Sequence, residues 1–247
     1  MPRKRVDERV VELGLESNRS RARARILAGD VRLGDRVLDK PGTLIDSEAP
    51  LQLRERARFV SRGGEKLSGA LEHFAIDPAG WRCVDVGAST GGFTDCLLQA
   101  GARSVLAIDV GYGQLELKLR EDPRVEVLER TNIRHFKAPP GLEPHDLLTA
   151  DLSFIGLRRV LPRLRLLVRD GGQLLLLVKP QFELGPEAVG SGGVVRDPEL
   201  RASAGQLVAR VAEDENLRVL GEVESQLPGP KGNRERFLWL SRPATDK

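Results

Sequence analysis

Residues 84–95 read VDVGASTGGFTD, and no other stretch limits the fold as tightly. An apolar run stops at a cluster of glycines and small residues, and apolar positions at helical spacing follow. About 20 residues further on, a second apolar run, SVLAID, ends in Asp109. A strand, a tight turn, a helix and a second strand with an acidic tip outline a nucleotide-type cofactor pocket in a parallel α/β sheet. Glycines let backbone approach a ligand closely, and a carboxylate at the second strand tip can accept from both hydroxyls of a ribose. The spacing is not the dinucleotide fingerprint, because Ser89 stands where G-x-G-x-x-G has its second glycine. An ordinary glycine-rich turn would share the cluster, but Asp109 at this distance favours the cofactor.

The chain has 247 residues, 40% hydrophobic and 30% charged, which suits a soluble globular protein of one large domain, or one small and one medium. Its longest apolar run, residues 174–178, is far short of the ~20 residues that span a bilayer. No apolar signal region follows the basic start MPRKRVDERV, so a cytoplasmic protein is expected. Two cysteines, Cys83 and Cys96, read as buried packing, and three scattered histidines give no basis for a metal centre. Charge is unevenly placed. Residues 1–58 hold 14 Lys and Arg against 10 Asp and Glu, whereas the rest holds 25 against 26. The basic excess lies wholly in the first segment and points to an anionic partner there.

That segment reads as a compact module. Val6, Val10 and Leu13 share one helical face, and Gly14 closes the helix. Asn18 or Ser20 caps a second helix over 19–28, stopped by Gly29. Short β pieces follow at 31–33, 36–38 and 51–53, the first two joined by a turn at Gly34-Asp35. Arg19 and Arg23, and Arg21 and Arg25, lie four apart on the second helix, while Ala22 and Ile26 face inward. The run GLESNRSRARARILAGDVRLGDRVLDKPG resembles the alpha-L RNA-binding module, known from a small-subunit ribosomal protein and from pseudouridine synthases, departing from it at Leu33. The resemblance makes Arg5, Arg19, Arg21, Arg23 and Arg25 candidate RNA contacts. Phosphate positioning rather than base reading is expected of them.

The domain boundaries expected are 1–58 for the module, 59–64 for a linker and 65–247 for a catalytic domain. The last has strand patterns at 83–86, 104–109, 125–128, 146–150, 173–178, 218–223 and 237–240. Helical patterns fall at 65–73, 93–100, 115–120, 157–168 and 199–213. Alternation of this kind implies an α/β, doubly wound, mostly parallel seven-stranded sheet. Asp151 and Lys179 each follow the C-terminal end of a strand, where open α/β sheets bind ligands, so both should face one crevice. A lysine directly after five apolar residues is costly without a partner, and a simple Lys–Asp pair fixing two strand ends would serve equally well. Residues 182–196, FELGPEAVGSGGVVR, have no periodicity and read as a mobile loop beside the crevice, or a passive connection.

The turn GASTGGF resembles the adenosylmethionine loop of class I methyltransferases, in particular the FtsJ-like branch that methylates RNA ribose. From Arg5 to about Ser241 the chain resembles the TlyA family, ribose 2′-O-methyltransferases of ribosomal RNA once labelled hemolysins. The matching pieces are VSRGGEKL, DVGASTGGFTD, DVGYGQL, DPRVEVLERTNIR, ADLSFI, LVKPQFE, GGVVRDPELR and LPGPKGNRERFLWL. The resemblance implies a class I sheet, S-adenosyl-L-methionine as cofactor, and transfer to a ribose 2′-hydroxyl of 16S or 23S RNA, at cytidine. It places a Lys-Asp-Lys-Glu catalytic set on Lys66, Asp151, Lys179 and Glu235. A ribose hydroxyl is a weak nucleophile, so alignment and proton removal are what such a set must supply. Lys179 is expected as the base and Lys66 as the group that steers the hydroxyl and a phosphate. For the cofactor, Gly87, Ser89 and Gly91 would line the methionine and ribose end, and Asp109 would take the ribose hydroxyls. Asn132 would sit near the adenine or cap a turn, and Asp85 would join the pocket or lie buried against the loop.

Other readings stay open at this point. They are a nicotinamide-dependent oxidoreductase on the same fold, an RNA-binding ribosome factor without catalysis, and a membrane-active, hemolysin-like protein.

Overall fold

The computed structural model describes residues 2–54, 57–137, 141–190 and 192–244. The chain divides into two compact units, Met1–Ala57 and Arg58–Lys247.

The first unit begins with β1 (Arg3–Arg5), α1 (Val6–Glu12) and α2 (Arg19–Leu27), followed by β2 (Val31–Leu33), β3 (Arg36–Leu38), β4 (Leu44–Asp46) and β5 (Leu51–Leu53). The two helices bury Val6, Val10, Ala22 and Ile26 against Val31, Leu38 and Leu51. Asn18 caps α2 by accepting the Arg21 N–H at 3.0 Å. Strands β3, β2 and β5 form an antiparallel sheet in that order, and Gly34 turns the β2–β3 hairpin at φ +57°. β1 pairs antiparallel with β4. Sequence patterning gives no sign of that pair, because RKR and LID are each three residues long and β1 is wholly charged.

The second unit runs α3 (Arg62–His73), β6 (Arg82–Val86), α4 (Gly92–Gln99), β7 (Ser104–Ile108), α5 (Leu117–Arg120), β8 (Val125–Leu128), β9 (His145–Ala150) and α6 (Leu161–Leu166). It ends with β10 (Val168–Val178), α7 (Pro180–Glu183), α8 (Pro198–Asp214), β11 (Arg218–Glu224) and β12 (Arg236–Ser241). The seven strands lie in the order β11-β12-β10-β9-β6-β7-β8. β10, β9, β6, β7 and β8 are parallel, and β12 runs against both its neighbours. The Leu174–Val178 run of β10 is apolar at every position because it is buried on both faces. α3 and α4 cover one face through Leu67, Leu71 and Leu97. α6 and α8 cover the other through Leu161, Leu164, Ala204, Val208 and Ala212, the last three repeating every four residues.

Three expectations change. Residues 59–64 are not free chain: Phe59 is buried in the α3–α4 core, the Val60 N–H donates to Asp95, and Ser61 caps α3. The helix expected over 157–168 is only α6, preceded by a 3-10 turn at 157–159, while β10 reaches back to Val168. An irregularity in β10, with Gly171 at φ +75°, lets Val168 pair with His145. The stretch 182–196 is not a structureless loop. Glu183 and Val195 are buried, and a β-bridge joins Gly190 to Val194. Both cysteines are free and buried, and burial pushes their thiols up to about 12.

Candidate active site

The glycine loop follows β6. Gly87, at φ +86°, donates its N–H to the Ile108 carbonyl at 2.8 Å, tying the loop to the tip of β7. Asp151, just past β9, donates its N–H to the Val86 carbonyl at 3.0 Å. A β-carbon on residue 87 would lie 2.5 Å from the Asp151 carbonyl oxygen, so only glycine lets the two strand tips meet. Gly91, at φ +95°, is the N-cap of α4, and a β-carbon there would lie 2.8 Å from Leu115 Cδ1.

Asp109 sits just beyond β7. Its Oδ2 accepts the Ser89 N–H at 2.8 Å and its Oδ1 accepts the Gly111 N–H at 2.6 Å. A carboxylate has about four acceptor sites, so two bonds leave capacity for further donors. Asn132 accepts the Arg134 N–H at 3.0 Å, and it also lines the same cavity as Asp109. It is thus both a turn cap and a pocket wall. This cavity has a volume of about 530 Å³. A second one, of about 440 Å³, is lined by Lys66, Phe93 and Lys179 among others. The two share Gly87, Ser89, Asp151 and Ser153 on their walls.

Two ion pairs stand at the second cavity, whose wall includes Lys66, Asp151 and Lys179 but not Glu235. Lys66 of α3 lies 2.5 Å from Glu235 Oε2, and both residues are buried. Lys179, at the end of β10, lies 2.5 Å from Asp151 Oδ1 and donates to Ser153 Oγ at 3.1 Å. The Asp151 contact is ionic and lies off the hydrogen-bond direction, and Asp151 Oδ1 and Glu235 Oε1 have no hydrogen-bond donor among the described residues. Four groups separated by up to 169 residues are thereby gathered as two lysine–carboxylate pairs. Simple strand-end fixing accounts for one such pair but not for both beside a glycine loop.

Asp85 is not on either cavity wall. It is fully buried in β6, accepts the Thr94 hydroxyl at 2.7 Å and faces Thr149 Oγ1 at 3.4 Å. Burial, with the nearby Asp151 charge, pushes its acid up to about 7 against the pull of those hydroxyls. Asp85 thus lies behind the loop, off both cavity walls. Two aromatic residues were not singled out from the sequence. Phe154 is 93% exposed at φ +67°, lines the larger cavity, and lies 5.7 Å from the Phe182 ring. Both stand three residues beyond a charged strand tip, in ADLSF and VKPQF, but nothing in the letters says that the first is bare.

In the first unit the arginines differ. Arg5 and Arg19 both bind the buried Asp7 carboxylate at 3.0 Å, which with its two cationic partners stays well below the usual range despite burial. Arg25 is largely covered and paired with Glu16 at 3.1 Å and Asp30 at 2.7 Å. Arg21 and Arg23 are exposed, the former donating to Ser17 Oγ at 3.3 Å. Arg25 therefore helps to hold its own unit together. Among the described residues no helix is long and apolar enough to cross a membrane.

A family model described as FtsJ-like methyltransferase matches residues 59–242, and an S4 domain model matches residues 4–50. A protein of Mycobacterium tuberculosis named 16S/23S rRNA (cytidine-2′-O)-methyltransferase TlyA is 50% identical, over 99% of this chain and 92% of its own. Hemolysin A of Brachyspira hyodysenteriae is 36% identical over 94% of this chain and 97% of its own. A solved structure from Streptococcus thermophilus, also carrying the hemolysin label, superimposes with a TM-score of 0.73 at 40% identity, covering 100% of this chain and 92% of that one.

Proposed function

The chain belongs to the FtsJ-like methyltransferase family, with an S4 domain ahead of the catalytic unit, and from that premise we propose that it methylates the ribose 2′-oxygen of a cytidine in 16S or 23S ribosomal RNA. Its sheet is the class I methyltransferase sheet, and its cofactor is S-adenosylmethionine. The observation that carries the reading is the shared wall: Asp151 belongs both to the glycine-loop cavity and to the cavity of the two lysines.

The larger cavity suits the cofactor in size and chemistry. About 530 Å³ is within the range of small-molecule sites. Gly87 brings backbone against the space, Asp109 has lone pairs left for ribose hydroxyls, and Asn132 offers an amide to the adenine. When bound, S-adenosylmethionine supplies a methyl group made electrophilic by its sulfonium. Lys179, once it has given its ion-pair proton to solvent, takes the proton from the ribose 2′-hydroxyl as a neutral amine, and Asp151 stabilises the ammonium that re-forms. Lys66, held by Glu235, steers the hydroxyl and an adjacent phosphate. The target nucleotide is extruded so that its sugar reaches the lysines. The bare ring of Phe154 offers its base a stacking face. Arg21 and Arg23 contact phosphates in the surrounding RNA. Such a substrate places the reaction in the cytoplasm.

The test is transfer of labelled methyl groups from S-adenosylmethionine to purified 30S and 50S subunits. Label in ribose that disappears with Lys179→Ala supports the reading. Absence of transfer to either subunit, with cofactor bound, overturns it.

A further inference from the structure

Asp151 and Lys179 stand at the heads of two separate connections, residues 151–157 and 179–184. The pair itself ties the connections at one end. A second tie, outside the four charged groups, joins them at the other. Glu183, the last residue of α7, is 2% exposed. Its Oε1 accepts the Leu157 N–H at 2.5 Å and its Oε2 accepts from Arg158 Nε at 3.2 Å. The Arg158 guanidinium also donates to the Glu183 carbonyl. The fit is close: a β-carbon on Gly156 would lie 2.9 Å from Glu183 Oε2 and 2.7 Å from the Phe182 carbonyl oxygen.

We propose that Glu183 is a positioning residue, which sets the spacing of Asp151 and Lys179 by clamping the far ends of the connections that carry them. This rests on the reading of those two residues as catalytic. Burial pushes the Glu183 acid upward, and the Leu157 N–H and Arg158 pull against it. A buried carboxylate is an expensive way to join two loops, and an apolar contact of the same size would do so at less cost. What the carboxylate adds is direction. It fixes a backbone N–H and a guanidinium at once, so neither connection can slide along the other. The clamp also sets the registry of Phe154 and Phe182, which stand within the two connections and whose rings lie 5.7 Å apart.

The test uses the full chain, with Glu183→Gln and Arg158→Gln as variants. The first keeps an acceptor for Leu157 but removes the charge, and the second leaves the Leu157 bond intact. The first readout is independent of turnover: the rate at which acetic anhydride labels Lys179, relative to Lys66, followed by mass spectrometry. Lys66 is held by Glu235 on other elements and serves as the internal reference. The clamp predicts a severalfold rise of the Lys179 to Lys66 ratio in Glu183→Gln and a smaller rise in Arg158→Gln. It also predicts a kcat lowered about 10- to 100-fold in the former, as for misplacement of reacting groups by about an ångström. Should Glu183→Gln not fold, the Arg158→Gln ratio decides. An unchanged ratio in the folded variants overturns the proposal, whatever turnover does. If the unaltered protein transfers no methyl group at all, the catalytic reading falls, and the labelling ratio still decides what Glu183 does.

Discussion

Lys179 Nζ and Asp151 Oδ1 lie 2.5 Å apart, and each belongs to the residue just past the C-terminal end of one of two adjacent parallel strands, β10 and β9. Parallel pairing puts both tips at the same edge of the sheet, and the backbone of Asp151 is held there by Val86. The pair is thus a product of topology, not of a local motif. Lys179→Met keeps the apolar stem and removes the amine. Transfer should fall by about 10²–10⁴-fold, the range for a lost general base, while S-adenosylmethionine still binds. Calorimetric binding alongside single-turnover methylation separates the two effects, and near-native turnover would remove Lys179 from its role.

Gly87→Ala tests the contact between the glycine loop and Asp151. The new β-carbon meets the Asp151 carbonyl oxygen at 2.5 Å, in a backbone region that side chains avoid. The fold should lose about 1–3 kcal/mol, and cofactor affinity should fall with it. Thermal melts and equilibrium binding check both. Unchanged affinity would mean that the loop does not hold the cofactor.

Asp85 makes stability depend on pH. Its acid is raised from 3.8 to about 7 by burial, so the folded state prefers the neutral form. The stability this group contributes is complete below pH 3.8, declines as pH rises, and is gone above about 7. Asp85→Asn keeps an acceptor for the Thr94 hydroxyl and cannot ionise. Its melting temperature should change less than that of the parent between those limits. Identical slopes would show that Asp85 ionises freely.

The arginines of α2 should separate into two kinds. Arg25→Ala removes the guanidinium that bridges Glu16 and Asp30 and should destabilise the first unit by about 1–3 kcal/mol. Arg21→Ala and Arg23→Ala should leave its melting unchanged and weaken RNA binding, each lowering the salt slope by about 1. Filter binding at several salt concentrations reads this directly. A salt slope unaffected by either change would take α2 out of the RNA interface.

The sheet was legible because β6, β7, β9 and β10 are apolar runs ending in chemistry-bearing residues, and the alternation with helices fixes parallel order. Lys66 and Glu235 are another matter. They are 169 residues apart, on α3 and just before β12, and no periodicity joins them. Their pairing came into view only through likeness to a family. The β1–β4 pair is hidden because three charged residues carry no β pattern. Phe154 is hidden because exposure belongs to the fold and not to the residue type. The ion pairs of Arg25 are hidden for the same reason: helical spacing gives a face, but the carboxylates that meet it come from Glu16 and Asp30, outside the helix.

The two lysine–carboxylate pairs are expected to serve methyl transfer to ribosomal RNA ribose. Mass-spectrometric mapping of 2′-O-methylation on rRNA, from cells with and without an intact chain, measures it most directly. A 2′-O-methylcytidine is expected with the intact protein, and its absence both without the protein and with Lys66→Ala. An unchanged set of ribose methylations in all three would contradict it.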